Sequence, residues 1–597
     1  MRAERGVAPL LLSLSLALLA LHGARADDTS TGLQLAQDAA RPMPAVRPNV
    51  PPVEVPAPLA PETGQDRIDT GTAAGAADGL KRQALSITDK REASSQYAIE
   101  VRSVTFSGNR VIATSRLDTV AQPYVGRTLE PSDIEALRNA LTLYYVQAGY
   151  LNSGAEPPVY DASSKSLRFT VVEGRLTAIE PHGLGWLRPY YVSSRLLGEP
   201  GEVLDMAVLR ERFQALLADP LISRANAKVL PGSTPGEAVL QVDVERARPY
   251  GLSFFANNYR PTSIGQGQGG TSAWVRNLTG FGDLLDASYL KHPGGGQSDS
   301  RSADWHLPFD AGRGEIMLEA DRGASSVVDA ALLQLGIRSE STSRQASVKE
   351  AVYQDGQREQ LSLGLDYLSR DSQTYLLGEK FSFTPGSIDG HVAEHGFRLW
   401  QEYAARSENQ VAVGRLTYAR MSNNLVSQSG APGVVNSVRD RVQYWLAQGQ
   451  YNRVVLDDGS QLTVKLSAQQ ASQNLPSLDQ MSVGGLATVR GYLENEFVRD
   501  IGRVLSLGFD HPYQLLKGDV AGSFGPFVDL GQSKNVGGTT ASIASAGLVG
   551  RIAWNRLRLD LSAARRLHEP SGITAPKGGL QQDGIELQLS YDVFARN

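Results

Sequence analysis

A chain of 597 residues is too long for one ordinary core and implies roughly three or four domains, unless part of it closes into a barrel. Hydrophobic residues make up 41% and charged residues 20%, which excludes both a charged disordered tail and a multi-span helical transporter, while a net charge of −5 leaves no positive field for a dedicated nucleic-acid binder. With 0 cysteines, disulfide frameworks and thiolate metal sites are excluded too.

Arg2 and Arg5 precede an apolar run over residues 10–21, and Ala24-Arg25-Ala26 supplies a small-x-small site, so residues 1–26 read as a cleaved signal peptide. The apolar run is well short of the roughly 20 residues that a membrane-spanning helix needs, and no later stretch approaches that length. A mature chain that enters a membrane must therefore do so as strands. Residues 27–95 read as tail and linker: 32–41 could form a short helix, 42–61 are Pro-rich and 70–79 are Gly/Ala-rich without periodicity.

From Tyr97 the pattern changes. Ile99, Val101, Val104 and Phe106 predict a strand ending at Ser107-Gly108-Asn109. A helix starts at Pro131, with Ile134, Leu137, Leu141, Tyr145 and Ala148 on one face and Gly149 closing it. A strand returns over Leu167-Arg168-Phe169-Thr170-Val171-Val172. The order then repeats: a strand around Leu176 and Ile179, a helix capped by Asp205 with Met206, Leu209, Phe213 and Leu216 inward, and two closing strands, the second alternating at Leu240, Val242 and Val244. Two small α+β modules, 96–175 and 176–247, are the natural reading.

After Arg248 the helical period gives way to alternation. Leu361, Leu363, Leu365 and Tyr367 alternate with polar neighbours, as do Leu462, Val464 and Leu466, then Leu557, Leu559 and Leu561, and finally Ile585, Leu587, Leu589, Tyr591 and Val593. A soluble sandwich would alternate equally well. The signal peptide, strands near ten residues and a final aromatic strand favour a transmembrane antiparallel β-barrel over 248–597, which at about ten residues per strand plus connections gives about 16 strands around a wet lumen. Trp274, Trp305, Trp400, Trp445 and Trp554 all fall in this half, where interfacial girdles would place them.

Several motifs in this order carry a resemblance. Val104-Thr105-Phe106-Ser107-Gly108-Asn109 and Val171-Val172-Glu173-Gly174 match the first and closing strands of a POTRA domain, and Pro231-Gly232 with Gly236 matches the end of a second. Asn277-Leu278-Thr279-Gly280-Phe281-Gly282-Asp283 matches the start of a barrel. Val489-Arg490-Gly491-Tyr492 matches a loop motif that folds into the lumen, and Gly525-Pro526-Phe527-Val528-Asp529 the wall motif that it meets. The chain resembles the TpsB transporters of two-partner secretion, outer-membrane pores that export haemolysins and filamentous adhesins, within the superfamily of the barrel-assembly protein. The resemblance implies a protein of the bacterial outer membrane with periplasmic POTRA domains. It implies a secreted exoprotein partner with an N-terminal secretion domain, contact with outer-membrane lipid, passage through the barrel-assembly machinery during biogenesis and a monomeric pore. No nucleic acid, cofactor, metal or catalytic residue is implied. Family barrels commonly end on an aromatic residue, whereas Ala595-Arg596-Asn597 follow Phe594 here, shifting the assembly signal inward. Residues 32–41 are the candidate counterpart of a plug helix found in some members.

Chemistry gives the two motifs roles. A loop in a wet lumen has no packed core of its own and needs a polar clamp; Arg490 offers a planar fork that the Asp529 carboxylate can accept in two parallel bonds, which Lys cannot reproduce. Gly491 permits a tight turn, and Tyr492 adds aromatic area with a polar tip. The small sheets of the modules have edges that can take up an extended peptide as an added strand, without regard to most of its side chains. The rival readings are an assembly factor for other barrels, a passive porin and a barrel-embedded hydrolase. For the last, His391-Val392-Ala393-Glu394-His395 formally matches an inverted zinc-protease pattern, but on a strand residues four apart lie about 13 Å from each other and do not converge. Gly265-Gln266-Gly267-Gln268-Gly269-Gly270 contains a phosphate-loop-like spacing with no helix after it, and reads as a turn between strands.

Overall fold

The computed structural model describes residues 68–69, 98–292, 298–329, 332–356, 358–426, 438–516, 519–568 and 578–594. The expected signal peptide at 1–26, the expected tail and linker at 27–95 apart from Ile68–Asp69, the candidate plug at 32–41 and the C-terminal Ala595, Arg596 and Asn597 lie outside them.

In the first module, Ser103–Ser107 runs parallel to Ser166–Val172, which also pairs antiparallel with Gly154–Ala155 and Val159–Asp161, while Ile99–Val101 pairs with Arg127–Leu129. Helix Pro131–Gln147 buries Leu137, Leu141 and Tyr145 against Leu167, Phe169 and Val171. Its start is fixed by proline at the first position and by the Glu130 amide, which donates to Asp133 Oδ2 at 3.0 Å. Glu173 ties the module together: its Oε1 accepts from the amides of Arg110 (2.6 Å) and Val111 (2.9 Å) and from the Tyr145 hydroxyl (3.2 Å).

The second module has a sheet in the order Ile68–Asp69, Ile222–Pro231, Glu237–Arg246 and Arg175–His182. Helix Met206–Leu217 buries Met206, Leu209, Phe213 and Leu216, and Asp205 Oδ1 accepts from the Ala207 amide at 2.8 Å. Asp205→Ala is expected to destabilise this module by about 1 kcal/mol through the lost cap; hydrogen exchange of the helix in the full chain measures it. Two short helices, Thr114–Ala121 and Pro189–Leu196, are absent from the sequence reading. Eight residues hold barely two turns, too few for a 3.6-residue period to stand out. The modules join through backbone bonds from Leu204 N to Gly174 O (2.7 Å) and Met206 N to Gly149 O (3.1 Å).

Residues from Tyr250 onward form a closed barrel of sixteen antiparallel strands. Strands are numbered here by position in the barrel: strand 1 is Tyr250–Asn257, strand 7 Glu359–Leu376, strand 8 His391–Arg406, strand 10 Arg441–Val454, strand 11 Gln461–Ala471, strand 12 Ile501–Leu515, strand 13 Val520–Lys534, strand 14 Ala541–Trp554, strand 15 Leu557–His568 and strand 16 Ile585–Asp592. Strand 16 returns to strand 1, with Ser253–Asn257 paired to Gln588–Asp592, and Ser253 Oγ donates to Asp592 Oδ1 at 2.7 Å across the seam. In lipid each unpaired backbone group costs several kcal/mol, and closure removes both edges.

The alternation of the sequence becomes an inside-out pattern of burial. On strand 7, Leu363, Leu365 and Tyr367 are exposed outward while Ser362 and Asp366 are buried; on strand 16, Leu589 and Tyr591 are exposed while Glu586 and Ser590 are buried. Only a hydrocarbon solvent makes that arrangement favourable. Several strands outrun the expected ten residues: strand 7 and its neighbour Arg338–Asp355 have 18 each. The excess is polar on both faces, as at Glu340, Ser341, Thr342, Ser343 and Arg344, and continues as a ribbon beyond the lipid. The tryptophan girdle needs correction. Trp445 and Trp554 are exposed, but Trp400 is 4% exposed, faces inward and donates through Nε1 to Asp366 Oδ1 at 2.8 Å. Counting tryptophans does not reveal their parity on the strand; exposed Leu399 beside it does.

The second module docks on one rim of the barrel. Arg188 N donates to Gly280 O (3.0 Å), and the Arg188 guanidinium stacks 4.0 Å over Phe281. The rim turn is internally fixed, because Asp283 Oδ1 accepts from the Thr279 amide (2.9 Å) and hydroxyl (2.7 Å) and its Oδ2 from Trp305 Nε1 (2.9 Å). Tyr191 packs on Gly282 so closely that a β-carbon there would lie 2.0 Å from the ring. Burial, reinforced by the neighbouring Asp219 carboxylate, pushes the Tyr191 hydroxyl up, so it stays protonated and donates to Asp219 Oδ2 at 2.6 Å.

Candidate functional site

The connection between strands 11 and 12 begins at the rim opposite the modules and turns into the lumen. Its limbs pair as a small hairpin, Met481–Val483 with Phe497–Arg499. Beyond the hairpin, Leu486, Ala487, Glu494 and Asn495 line one cavity together with Asn257 and Ser302 and a second together with Gln448 and Arg551, so the loop stands between opposite walls.

Its tip is Val489, Arg490, Gly491 and Tyr492. Arg490 meets Asp529 of strand 13 in a bidentate pair, Nε to Oδ2 at 2.7 Å and Nη2 to Oδ1 at 2.8 Å, and its backbone amide adds a third bond to Oδ2 at 3.0 Å. Ser506 of strand 12 completes the ring, accepting from Arg490 Nη2 at 3.0 Å and donating to Asp529 Oδ1 at 2.6 Å. The guanidinium lies 3.4 Å over the Phe527 ring. The Asp529 side chain is 0% exposed, so removing either partner strands a buried charge at a cost of about 3–5 kcal/mol.

Gly491 has φ +85°, and a β-carbon would lie 2.7 Å from Ala564 Cβ on strand 15; only glycine fits both the conformation and the gap. Its carbonyl accepts from Arg566 Nε at 2.7 Å, and Arg566 also lies 5.1 Å over the Tyr492 ring. The Tyr492 hydroxyl sits between the carbonyls of Ala544 (2.9 Å) and His568, on strands 14 and 15. Val489 is fully buried among Met481, Val483, Phe497, Val504 and Ile543. Gly525 does not join this assembly. It lies under the Phe509 carbonyl, beside Pro526, where the ladder between strands 12 and 13 is interrupted.

The polar clamp is present, but the expectation that a loop in a wet lumen has no packed core is overturned. Besides the apolar cluster around Val489, the descending limb places Leu475 against Leu368, Met421, Val442 and Tyr444, and Leu478 against Val392 and Leu425, on the inner wall. Asp500 fastens the base, its Oδ1 accepting from the Leu475 amide and Gln480 Nε2 and its Oδ2 from the Val536 amide, each at 2.9 Å. Ser506, Arg566 and Asp500 escape sequence reasoning because only the strand register brings them to the loop. Parity could have marked Ser506 as inward, but not as Asp529's neighbour.

The histidines of the protease-like motif do not converge. His391 and His395 of strand 8 are exposed on one face, while Glu394 faces the interior and is 1% exposed. Among the described residues no group of His, Cys, Asp and Glu is arranged to hold a metal ion.

A closed β-barrel with an inward-folded, wall-locked loop and N-terminal α+β modules has the architecture of the outer-membrane transporter class. Residues 236–551, more than half of the chain, match the haemolysin secretion/activation protein family ShlB/FhaC/HecB, and residues 99–174 match the ShlB-type POTRA domain. The chain belongs to this family of TpsB transporters, which places the barrel in the bacterial outer membrane. It is 20% identical over 399 residues to the outer membrane transporter CdiB of Dickeya dadantii, covering 66% of this chain and 69% of the relative. Against the heme/hemopexin transporter protein HuxB of Haemophilus influenzae it is 21% identical over 440 residues, covering 68% and 70%. The solved structure of CdiB from Escherichia coli superposes with a TM-score of 0.61 at 18% identity, over 89% of this chain and all of that one, which supports the shared fold.

Proposed function

We propose that this protein exports a large partner exoprotein, of adhesin or haemolysin type, from the periplasm by two-partner secretion. The observation that carries the reading is the inward loop, an obstruction fastened to the wall inside a barrel whose other rim carries the docked second module. The modules supply a way to hold unfolded cargo. Among the described residues, Ser103–Ser107 of the first module pairs on one side only, and beside it Val104, Asp118, Ala121 and Val125 line a groove. The second module's outer strand already accepts an added strand, with Ile68 and Asp69 parallel to Ala227 and Lys228. Backbone pairing of that kind takes many sequences. Export then needs no ATP: folding of the partner outside makes re-entry unfavourable. Co-expression with a neighbouring-frame exoprotein that has its own signal peptide tests this. The partner is expected in the culture medium only when the present chain is made; a partner found equally in the periplasm with and without it sinks the reading.

A further inference from the structure

The inward loop is held at two charged points, and they differ in what remains when the loop moves. At the tip the loop brings the cation: if Arg490 leaves, Asp529 stays fully buried and keeps the Ser506 hydroxyl, with the Lys465 ammonium of strand 11 in electrostatic range but, among the described contacts, in no ion pair with it. At the descending limb the loop brings a carboxylate. Arg370 of strand 7 donates through Nη1 to the Leu478 carbonyl, and its Nη2 lies against both Asp479 Oδ1 of the loop and Glu394 Oε1 of strand 8. The Tyr444 hydroxyl of strand 10 adds a bond to Asp479 Oδ1 at 3.2 Å, and Gln469 Nε2 holds the Asp479 carbonyl at 2.9 Å. The Asp479 and Glu394 side chains are both 0% exposed and that of Arg370 14%.

Two buried carboxylates therefore face one guanidinium, and one of the two belongs to the wall. When Asp479 departs, Arg370 keeps Glu394, and Glu394 loses a like-charged neighbour. The wall charge keeps an ion-pair partner, whereas departure of Arg490 takes away the one that the structure gives Asp529 among the described residues. We propose that Asp479 and Arg370 form the releasable latch of the loop, that Arg490 and Asp529 form its fixed pivot, and that Glu394 is the standby counter-ion that lets the latch open. In export, a reading that rests on the function proposed above, the limb carrying Leu475 and Leu478 swings off the inner wall while the tip stays pinned. Glu394, the acidic member of a motif whose two histidines face away from it, acquires a role in this way.

The latch can be tested apart from the partner. In planar bilayers, Asp479→Asn is expected to raise, and Glu394→Gln to lower, the open probability of the purified full-length pore, each by at least about threefold relative to wild type; shifts of the same sign, or none, overturn the latch. A second measurement exploits the 0 cysteines of the chain. Leu478→Cys with Leu425→Cys, bridged by a short bis-maleimide, is expected to stop export, while the unbridged variant still exports. Val489→Cys with Val504→Cys, bridged at the tip, is expected to keep exporting. Export through a limb-bridged barrel, or its loss on tip bridging, refutes the assignment of latch and pivot. A wild-type chain that exports nothing would count against the function itself and leaves the conductance test to decide the latch.

Discussion

Arg490→Ala is expected to abolish detectable partner export while the barrel remains at normal abundance in the outer membrane. Loss of the guanidinium removes two charge-assisted bonds to Asp529, the bond to Ser506 and the stacking on Phe527, and leaves a carboxylate with 0% side-chain exposure without its ion-pair partner. A penalty of about 3 kcal/mol lowers the docked population of the tip roughly a hundredfold. Arg490→Lys should rescue little, since one ammonium cannot span both oxygens and reach Ser506. The readout is partner in the medium against barrel in the membrane fraction; normal export by the alanine variant ends the idea of a clamp. The apolar limbs around Leu475 and Val489 explain why the barrel itself should survive, because they pack the loop independently of the pair.

Gly282→Val is expected to lift the second module from the barrel rim and to reduce export by about tenfold or more. The residue has φ +84° and its would-be β-carbon lies 2.0 Å from the Tyr191 ring, so the substitution combines a disfavoured backbone with an overpacked contact. Each is worth about 1–3 kcal/mol. Limited proteolysis should find the Pro189–Leu196 helix newly susceptible, and Gly282→Ala combined with Tyr191→Ala should cost less than the sum of the two single changes, as expected for groups in direct contact. Additive effects, or an unchanged protease pattern, would mean that this contact does not set the position of the module.

What could be read directly from the chain was whatever repeats locally. The 3.6-residue face of Leu137, Leu141 and Tyr145 and the two-residue alternation ending at Leu589 and Tyr591 are properties of short windows, and they lead to two helix-bearing modules followed by a barrel. Size followed too, since strand length and chain length bound the number of strands. Short-range motifs also pointed to Arg490 and Asp529 as partners, through resemblance rather than through any rule that joins residues 39 positions apart.

The tertiary structure alone decided the rest. Which face Trp400 occupies depends on the parity of strand 8, and a count of tryptophans does not contain it. Ser506 reaches Asp529 because strands 12 and 13 pair in that register, and Asp479 reaches Arg370 across 109 positions because the loop turns inward. Alternation tells a strand which side is oily, a choice made residue by residue against the solvent. Register, closure and the path of the loop are settled by contacts between distant segments, whose energies no local window carries.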